Sequence, residues 1–555
     1  MKIHKFLLPA FFALAFVACS DDEPQPGTAH KPGQGTEQED PEEPEKPSTD
    51  PGDNVTSPTP TFSLTTKSMA VNMNETYQEI EGFGASDCWL PNTIGKYWTN
   101  RNQLATWLFS KNVKSTGEPQ GIGLSMWRVN MGAGTSEAGA AGGVDNVNNR
   151  AESYFTNGKY NWDKCVGQRY FMQQAKNSGV EKFILFSNSP LVEFTKNGQG
   201  RSDSGRFANL KDNAYGDFAN YMADVADHFT AEGYNIAAIS PVNEPQYNWD
   251  GRDQEGSGWQ NTEIAKLTRY LDQALTDRGL DTEISVGEAG HWDHLYAVTD
   301  GDGRDNTIDA FYNPSSEAYI GDLKHTGKII CGHSYWTHFN WNDMRNVRKN
   351  VANAAAPKGL RVWQTEWSML DRAPEDVNYD ADNAEFQIAQ YMSRVIHNDL
   401  TVANCTSWSY WTAMSVERWS QRNRFELIKT TPTGGNYSDD FTTGGEIEAT
   451  PNLWVLGNYS LFIRPGFVRV GVTHDENKNF FASAYIAPDR SQLVVVVTNY
   501  DKSNGITLDM PTPEGTKAVY RYTTSEKKNL FRERFSIQDK VFVDPASVTT
   551  IVYSL

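Results

Sequence analysis

The chain has 555 residues and a formal net charge of −20 at pH 7. This length is ample for a large core and for more than one domain. The acidic balance argues against nucleic acid or another polyanion as a partner, and it is compatible with a neutral polymer.

The first 18 residues are typical of a signal peptide. Lys2 and Lys5 precede an apolar run that ends at Ala18 and is too short to span a bilayer comfortably. The segment Val17-Ala18-Cys19 resembles a bacterial lipobox, with Phe16 in place of the usual leucine. That resemblance implies lipidation of Cys19 and attachment to the outer membrane of a Gram-negative bacterium, at the cell surface or at the periplasmic face. An ordinary secretory signal with an incidental cysteine is the alternative.

Residues 19–60 are predicted to be the lipidated cysteine followed by a disordered linker. Residues 20–60 contain nine prolines, eleven acidic residues and two lysines, with almost nothing to bury. The stretch Phe62–Met73 is strand-like, so residues 61–80 are predicted to form one or more strands.

Eight short apolar runs rich in β-forming residues come next. Near-continuous apolar character is typical of strands that are buried on both faces of a parallel sheet. The runs are Glu81–Ser86, Leu124–Met131, Lys182–Ser187, Ile236–Asn243, Glu283–Gly287, Ile329–Tyr335, Arg361–Thr365 and Cys405–Trp411.

Stretches with helical periodicity alternate with these runs, and the clearest are Tyr215–Phe229, Ile264–Leu275 and Phe386–Ile396. Eight alternations of strand and helix predict an α/β fold, a (β/α)8 barrel over residues 81–464. The active site of such a barrel lies at the C-terminal ends of its strands.

Two glutamates stand at those ends. Asn243-Glu244-Pro245 ends the fourth predicted strand, and Trp363-Gln364-Thr365-Glu366 ends the seventh. Both carboxylates should reach the same mouth, where a carboxylate pair can break a glycosidic bond. Glu288, after the fifth strand, could replace Glu366 in this pair or could be a residue of the rim or of a sugar subsite.

The pattern of the sequence changes after the last barrel helix, which is predicted at Leu453–Ile463. Alternating strands separated by turn residues predict an antiparallel β-sandwich over residues 465–555. Residues 61–80 should pair with it, so this side domain would be built from both chain ends. The predicted strands are Phe467–Val472, Phe480–Ile486, Gln492–Thr498, Gly505–Asp509, Ala518–Thr523 and Val548–Tyr553.

The other four cysteines, Cys88, Cys165, Cys331 and Cys405, lack the paired spacing of a metal site. Two of them fall within predicted barrel strands, where cysteine usually behaves as a small buried residue. A disulfide between them stays open at this point.

From about Thr61 to Leu555 the chain resembles glycoside hydrolase family 30. The motifs that carry the resemblance are Ile80–Ser86, Asn243-Glu244-Pro245, Trp363–Glu366 and Asn458–Gly466. The resemblance implies a retaining β-glycosidase on a barrel with a fused β-sandwich. It implies Glu244 as acid/base and Glu366 as nucleophile, without a metal or an organic cofactor.

Further substrate-binding residues are expected around the pair. Arg128 could be a cation near Glu366 or a structural ion pair, and Asn243 could bind the sugar 2-hydroxyl, as the resemblance supports. Tyr335 and His333, at the end of the sixth strand, could orient the nucleophile; ordinary packing is the alternative for Tyr335, although the resemblance favours the role at the site. The aromatic rings expected to floor or wall the pocket are Trp411, Trp89, Trp249 and Trp259, with core or loop packing as the alternative. Asp87 could bind a sugar hydroxyl or be structural.

The resemblance extends to one branch of the family, the endo-β-1,6-galactanases. It rests on Ser187–Pro190, Phe194–Gly198 and Gln254–Gly256, although Leu191 stands where a second proline is expected. The implied substrate is a neutral plant-type galactan, such as the side chains of arabinogalactan. A β-1,6-glucanase or a glucuronoxylanase of the same family is the alternative. We expect a monomer.

A different class also stays open, because a surface lipoprotein on a tether could be a non-catalytic glycan-binding protein. A pure binder has no need to keep Asn243, Glu244 and Glu366 together, and this favours the enzyme.

Overall fold

The computed structural model of the protein describes residues 55–418 and 421–555. The predicted signal peptide, the lipidation site Cys19 and the predicted linker up to residue 54 lie outside the described residues. Within the described part of the chain, no helix is both long and apolar enough to cross a membrane.

Eight parallel strands form the predicted barrel, and each overlaps its predicted run. In chain order, and named by that order below, the barrel strands are Gly82–Ser86, Met126–Asn130, Lys182–Phe186, Ile236–Ser240, the interrupted pair Glu283–Ile284 and Val286–Ala289, Ile329–His333, Arg361–Glu366 and Cys405–Tyr410. Most of their residues are buried, as the apolar runs require.

The interruption in the fifth strand closes the ring. Glu283–Ile284 pairs with the fourth strand, whereas Val286–Ala289 pairs with the sixth. The first strand pairs with both the second and the eighth. All of these pairings are parallel, so the C-terminal ends of the strands meet at one mouth.

Helices surround the barrel and bury their apolar stripes against it. The helix that follows the third strand buries Phe218, Met222, Val225 and Phe229, which recur at helical spacing. The helices are Leu90–Tyr97, Arg101–Phe109, Thr135–Ala138, Val166–Asn177, Tyr215–Ala231, Asn261–Arg278, Asp293–Tyr296, Thr307–Tyr312, Trp341–Ala355, Ala384–Thr401 and Pro451–Ser460, with 3-10 turns at Gly139–Gly142, Val147–Asn149, Val192–Phe194 and Ala356–Lys358.

The β domain is built from both ends of the described chain, as predicted. Its nine strands form one continuous sheet: Ser63–Glu79, Val468–His474, Phe480–Ile486, Gln492–Asn499, Asn504–Asp509, Ala518–Ser525, Lys528–Phe535, Phe542–Val543 and Ser547–Ser554. The sheet is mixed, because Ser63–Ser68 pairs in parallel with Asn504–Asp509 while Met69–Glu79 pairs antiparallel with Val468–His474. The sheet encloses its own apolar core, separate from that of the barrel.

Two small sheets decorate the loops. A hairpin joins Phe155–Thr156 to Lys159–Tyr160, and the long segment after the eighth barrel strand contains Met414–Ser415, Ile428–Pro432 and Gly445–Ala449. The helix Pro451–Ser460 then connects barrel and β domain. In this helix the Asn458 side-chain amide donates to the carbonyl of Tyr522 at 3.1 Å, which ties the two together.

A buried ion pair between two of the surrounding helices contacts the end of the sixth strand. Asp399 and Arg348 are both fully buried, with 2.7 Å between the Arg348 Nε and Asp399 Oδ1 atoms. The other carboxylate oxygen accepts from Ser334 at 2.8 Å and from the Trp408 indole at 2.9 Å. The pair therefore links two helices to the sixth and eighth strands.

We expect Asp399→Ala to lower the free energy of unfolding by about 3–5 kcal/mol, because it leaves a buried guanidinium without its partner. Urea unfolding followed by circular dichroism measures this. The matched control is Asp509→Ala, which breaks an exposed pair with Lys540 and should change the free energy by less than about 1 kcal/mol. Equal effects of the two variants would contradict the assignment.

Candidate active site

Glu244 and Glu366 converge at the barrel mouth. Glu366 is the last residue of the seventh strand, and Glu244 follows the fourth. One carboxylate oxygen of each lies within 4.8 Å of the other and of a ring nitrogen of His333. Glu244 has a φ of 40°, a left-handed conformation that is rare for a residue with a side chain. Such backbone strain is concentrated at functional sites.

Arg128 is buried below the pair, as the expectation of a cation near Glu366 requires. Its guanidinium contacts Glu366 Oε1 directly and donates to Asn243 Oδ1 at 3.3 Å and to Ser86 Oγ at 3.1 Å. A third carboxylate, Glu288, lies 3.4 Å from it. The guanidinium also stacks on the Phe186 ring, with 3.6 Å to the ring centroid.

His333 and Tyr335 divide their contacts between the two glutamates. Tyr335 donates its hydroxyl hydrogen to Glu366 Oε2 at 3.3 Å, as expected for a residue that orients the nucleophile. His333 lies closer to Glu244 than to Glu366: its Nδ1 atom is 2.8 Å from Glu244 Oε1 and 3.6 Å from Glu366 Oε2. Its Nε2 atom is 3.0 Å from Glu288 Oε2.

These charges determine the protonation states of the mouth. Burial disfavours the imidazolium, but the charge of Glu366 and hydrogen bonds to Glu244 and Glu288 raise the pKa of His333 to about 10. Burial would raise the pKa of Glu288, yet Arg128 and His333 hold it at about 2. Burial raises the pKa of Glu366 above its usual range, and the positive charges of His333 and Arg128 offset only part of this effect. The mouth therefore holds two cations and at least one permanent anion.

A cleft opens above the glutamates. A cavity of about 290 Å³ is lined by Glu244, Glu366, Asn243 and Tyr335, together with loop residues that include Trp249, Gln254, Tyr247, Trp336, Leu370 and Trp411. A second cavity of about 270 Å³ shares Leu370 and Trp411 with the first and continues past Trp89. Trp89 and Trp411 pack edge to face, with 5.4 Å between their ring centroids. Three of the four expected tryptophans thus border the cleft.

Two expected substrate residues lie elsewhere, and we correct both expectations. Trp259 is 1% exposed and packs against Tyr215, because its loop folds back onto the barrel helices. Asp87 is 3% exposed and accepts the backbone N–H of Asn130 at 2.9 Å. It lines a small cavity beside Gln168 and lines neither of the two cavities of the cleft. Burial raises the pKa of Asp87 to about 7.

The prediction of Glu288 as a residue of the rim or of a sugar subsite is also wrong, because its side chain is fully buried and lines neither cavity of the cleft. The four cysteines at positions 88, 165, 331 and 405 are free and buried, so no disulfide joins them.

Two further aromatic residues, which the sequence did not indicate, belong to the cleft. Tyr247 and Trp336 line the larger cavity and are 49% and 43% exposed, which is unusual for large aromatic rings. Each follows the end of a barrel strand closely in sequence. That position is the one feature of the sequence that could have marked them as residues of the cleft. Exposed aromatic rings beside a carboxylate pair are suited to stacking on sugar rings.

Comparison of the sequence with known protein families leads to the same class of enzyme as the geometry of the site. A model of the family described as O-Glycosyl hydrolase family 30 matches residues 66–423. The chain belongs to glycoside hydrolase family 30.

Individual relatives of this family 30 hydrolase differ in their named substrates. An endo-beta-1,6-galactanase of Hypocrea rufa is 26% identical over 449 residues, which cover 78% of this chain and 80% of that protein. The glucuronoxylanase XynC of Bacillus subtilis (strain 168) is 23% identical over 384 residues, which cover 67% and 71%. The crystal structure of a conserved exported protein from Bacteroides fragilis has a TM-score of 0.82 and 29% identity, covering 88% of this chain and all of that chain.

Because His333 of the family 30 hydrolase is protonated, the free energy of unfolding should depend on pH. Its folded pKa of about 10 lies above its ordinary value of 6.5. The stabilisation from this charge is therefore fully present below pH 6.5 and is lost as the pH rises toward 10. We expect the difference in unfolding free energy between the wild type and His333→Gln to fall over that interval, as measured by urea unfolding at a series of pH values.

His338→Gln is the matched control, since burial lowers the pKa of His338 to about 3. Its difference from the wild type should stay constant above pH 6.5 and shrink only as the pH falls below that value. A flat profile for His333→Gln between pH 6.5 and 10 would contradict a charged His333.

Proposed function

We propose that this family 30 hydrolase cuts a neutral β-1,6-linked galactan within the chain, by double displacement with retention of configuration. The observation that carries the mechanism is the short distance between the catalytic oxygens, which are within 4.8 Å of each other. Retaining enzymes hold their carboxyl groups roughly 5–5.5 Å apart, whereas inverting enzymes leave room for a water molecule between them.

In the first step Glu366 attacks the anomeric carbon, and Glu244 gives a proton to the leaving oxygen. In the second step Glu244 takes a proton from water, which then releases the sugar from Glu366. Arg128 and Tyr335 both contact the carboxylate of Glu366, so they would orient its attacking oxygen. Arg128 likewise contacts Asn243 Oδ1, which leaves the Asn243 amide hydrogens for the sugar 2-hydroxyl.

Internal cleavage is supported by the shape of the cleft. The two adjoining cavities lie on either side of Leu370 and Trp411, so a chain of sugars could cross from one to the other. Their combined size falls in the range of about 300–1,000 Å³ that is usual for ligand sites.

A neutral substrate is supported by the charges that line the cleft. Among the described residues that line the two cavities, Arg418 is the one side chain with a permanent positive charge. Its guanidinium is occupied by the carbonyls of Asn436 and Ser438, at 2.7 and 2.8 Å, and by Asp439 at 2.9 Å. A polymer with acidic branches needs an available cation to replace its lost hydration, and this favours galactan over glucuronoxylan.

Galactan is also supported by the relative with that named activity and by the loop motifs that resemble the same branch. Gln254, from one of these motifs, lines the larger cavity. Next to it, Glu255 is fully buried and binds Thr135 Oγ1 at 2.6 Å, which fixes this loop against the loop of the second strand.

The two glutamates should fail in different ways. Glu366→Ala should abolish turnover on every substrate, because no covalent intermediate can form. Glu244→Ala should lose activity on the polymer by about 10²–10⁴-fold, yet largely keep the first step on a dinitrophenyl glycoside, whose leaving group needs no proton. Steady-state and burst kinetics measure both effects, and near-normal activity of Glu366→Ala would contradict the assignment.

The substrate is tested by incubation with a panel of polysaccharides and sizing of the products. We expect rapid release of β-anomeric galacto-oligosaccharides from debranched arabinogalactan, while β-1,6-glucan and glucuronoxylan stay intact. Galactose and glucose differ at the C4 hydroxyl, and a hydrogen bond built for one epimer discriminates strongly against the other. Glu366→Ala is the blank. Preferred cleavage of another polymer would overturn the substrate and leave the catalytic pair standing.

A further inference from the structure

The carboxylate of Glu288 is a buried charged group that double displacement does not use. It lies in the second half of the fifth barrel strand, with a φ of 39° and no exposed surface. The backbone carbonyl of Glu288 accepts the N–H of Glu244 at 2.9 Å, so the two residues are joined through the main chain as well.

Both oxygens of this carboxylate are occupied by partners from four other strands. Oε1 accepts from Ser240 Oγ at 2.6 Å. Oε2 accepts from Thr365 Oγ1 at 2.7 Å, from His333 Nε2 at 3.0 Å and from Arg128 Nη2 at 3.4 Å. A carboxylate that is buried and fully hydrogen-bonded cannot reach an anomeric carbon, and Glu288 is therefore excluded as the nucleophile.

The charges of the mouth give Glu288 a different task. Arg128 and His333 are two buried cations, and a buried cluster is most stable when its charges balance. With Glu288 and Glu366 ionised the balance is complete, and Glu244 can keep its proton. Without Glu288 the same two cations would be balanced by ionised Glu366 and ionised Glu244. An ionised Glu244 has no proton to give to the leaving group.

We propose that Glu288 is a positioning residue that acts through His333: it holds the ring against Glu244 and balances its charge, so that Glu244 begins the reaction as the acid. His333 is the physical link, since its two nitrogens lie 3.0 Å from Glu288 and 2.8 Å from Glu244. The Glu244 oxygen that receives the Nδ1 hydrogen is Oε1, which leaves Oε2 to carry the proton for the leaving group.

Other titratable groups face this chain of contacts and stay in place in the test below. Those that face Glu244 are His333 on the sixth strand, Tyr335 just after it, Glu366 on the seventh, His291 after the fifth and Tyr247 in the loop that follows Glu244. The groups that face Glu288 are Cys331, Arg128, His333 and Glu366.

The test is Glu288→Gln, which keeps the size and one oxygen acceptor but removes the charge. His333 keeps Glu244 and Glu366 as neighbours and stays cationic, so the removed anion favours loss of the proton from Glu244. The basic limb of the kcat/KM profile should therefore move by about one pH unit to lower pH. At neutral pH this shift should lower kcat/KM by up to about tenfold on a glycan, and by less than about twofold on a dinitrophenyl glycoside that needs no acid.

Glu81→Gln is the matched control, because Glu81 is a buried carboxylate just before the first barrel strand that pairs with Lys182 and Arg361 and lines neither cavity of the cleft. The basic limb of the kcat/KM profile of this control should coincide with that of the wild type. Circular dichroism and the Tm show whether each variant folds. An unshifted limb in folded Glu288→Gln, or an equal loss on both substrates, would reduce Glu288 to a structural residue.

A second measurement needs no variant at the position. Nitrogen-15 NMR of the wild-type imidazoles should show a ring that keeps both protons from pH 6 to 9, assigned to His333 by its absence in His333→Gln. A neutral His333 at pH 7 would overturn the inference, whether or not Glu288→Gln folds.

The inference rests on the proposed glycosidase mechanism but not on galactan. Any β-glycoside that the wild type cleaves serves for the pH profile, so a different polymer in the panel leaves it intact. A wild type that cleaves no glycoside would overturn both proposals, whereas an active wild type with an unshifted variant overturns this one alone.

Discussion

The guanidinium of Arg128 imposes the constraint on which the barrel mouth depends. A cation that is 2% exposed costs several kcal/mol unless nearby carboxylates and other acceptors compensate its charge. Its partners come from the first, seventh and fifth strands and from Asn243 beyond the fourth. Only a closed ring places these groups around one point, so barrel closure and the position of Glu366 follow from the same requirement.

Much of this arrangement could be predicted because it depends on patterns of short range. Strands buried on both faces have to be apolar throughout, and each of the eight runs became a barrel strand. Parallel strands also deliver their last residues to one face, which is why Glu244 and Glu366 could be paired from sequence. The contact of Arg128 with Glu366 followed from the same logic.

What could not be predicted depends on loop paths and on distant partners. Trp259 and Asp87 follow strand ends as Trp249 and Trp89 do, but loop packing turns them inward, and no local pattern encodes that turn. Lys528–Phe535 escaped notice because charged residues interrupt its apolar pattern. The parallel pairing of Ser63–Ser68 with Asn504–Asp509 joins segments whose relation appears only in three dimensions.

That pairing has a consequence for how the chain matures. Ser63–Glu79 is the first strand of the described chain to leave the ribosome. Its parallel partner is Asn504–Asp509, and the Thr65 hydroxyl donates to the carbonyl of Gly505, 440 residues later. It must therefore wait as an unpaired edge for almost the whole of synthesis, a state that invites aggregation. Its composition limits aggregation while it is unpaired, because Met69 is its one fully buried residue and most of the others are exposed and polar. The polar character that weakens its signal as a strand would thus keep the unfinished chain dispersed until the last strands arrive.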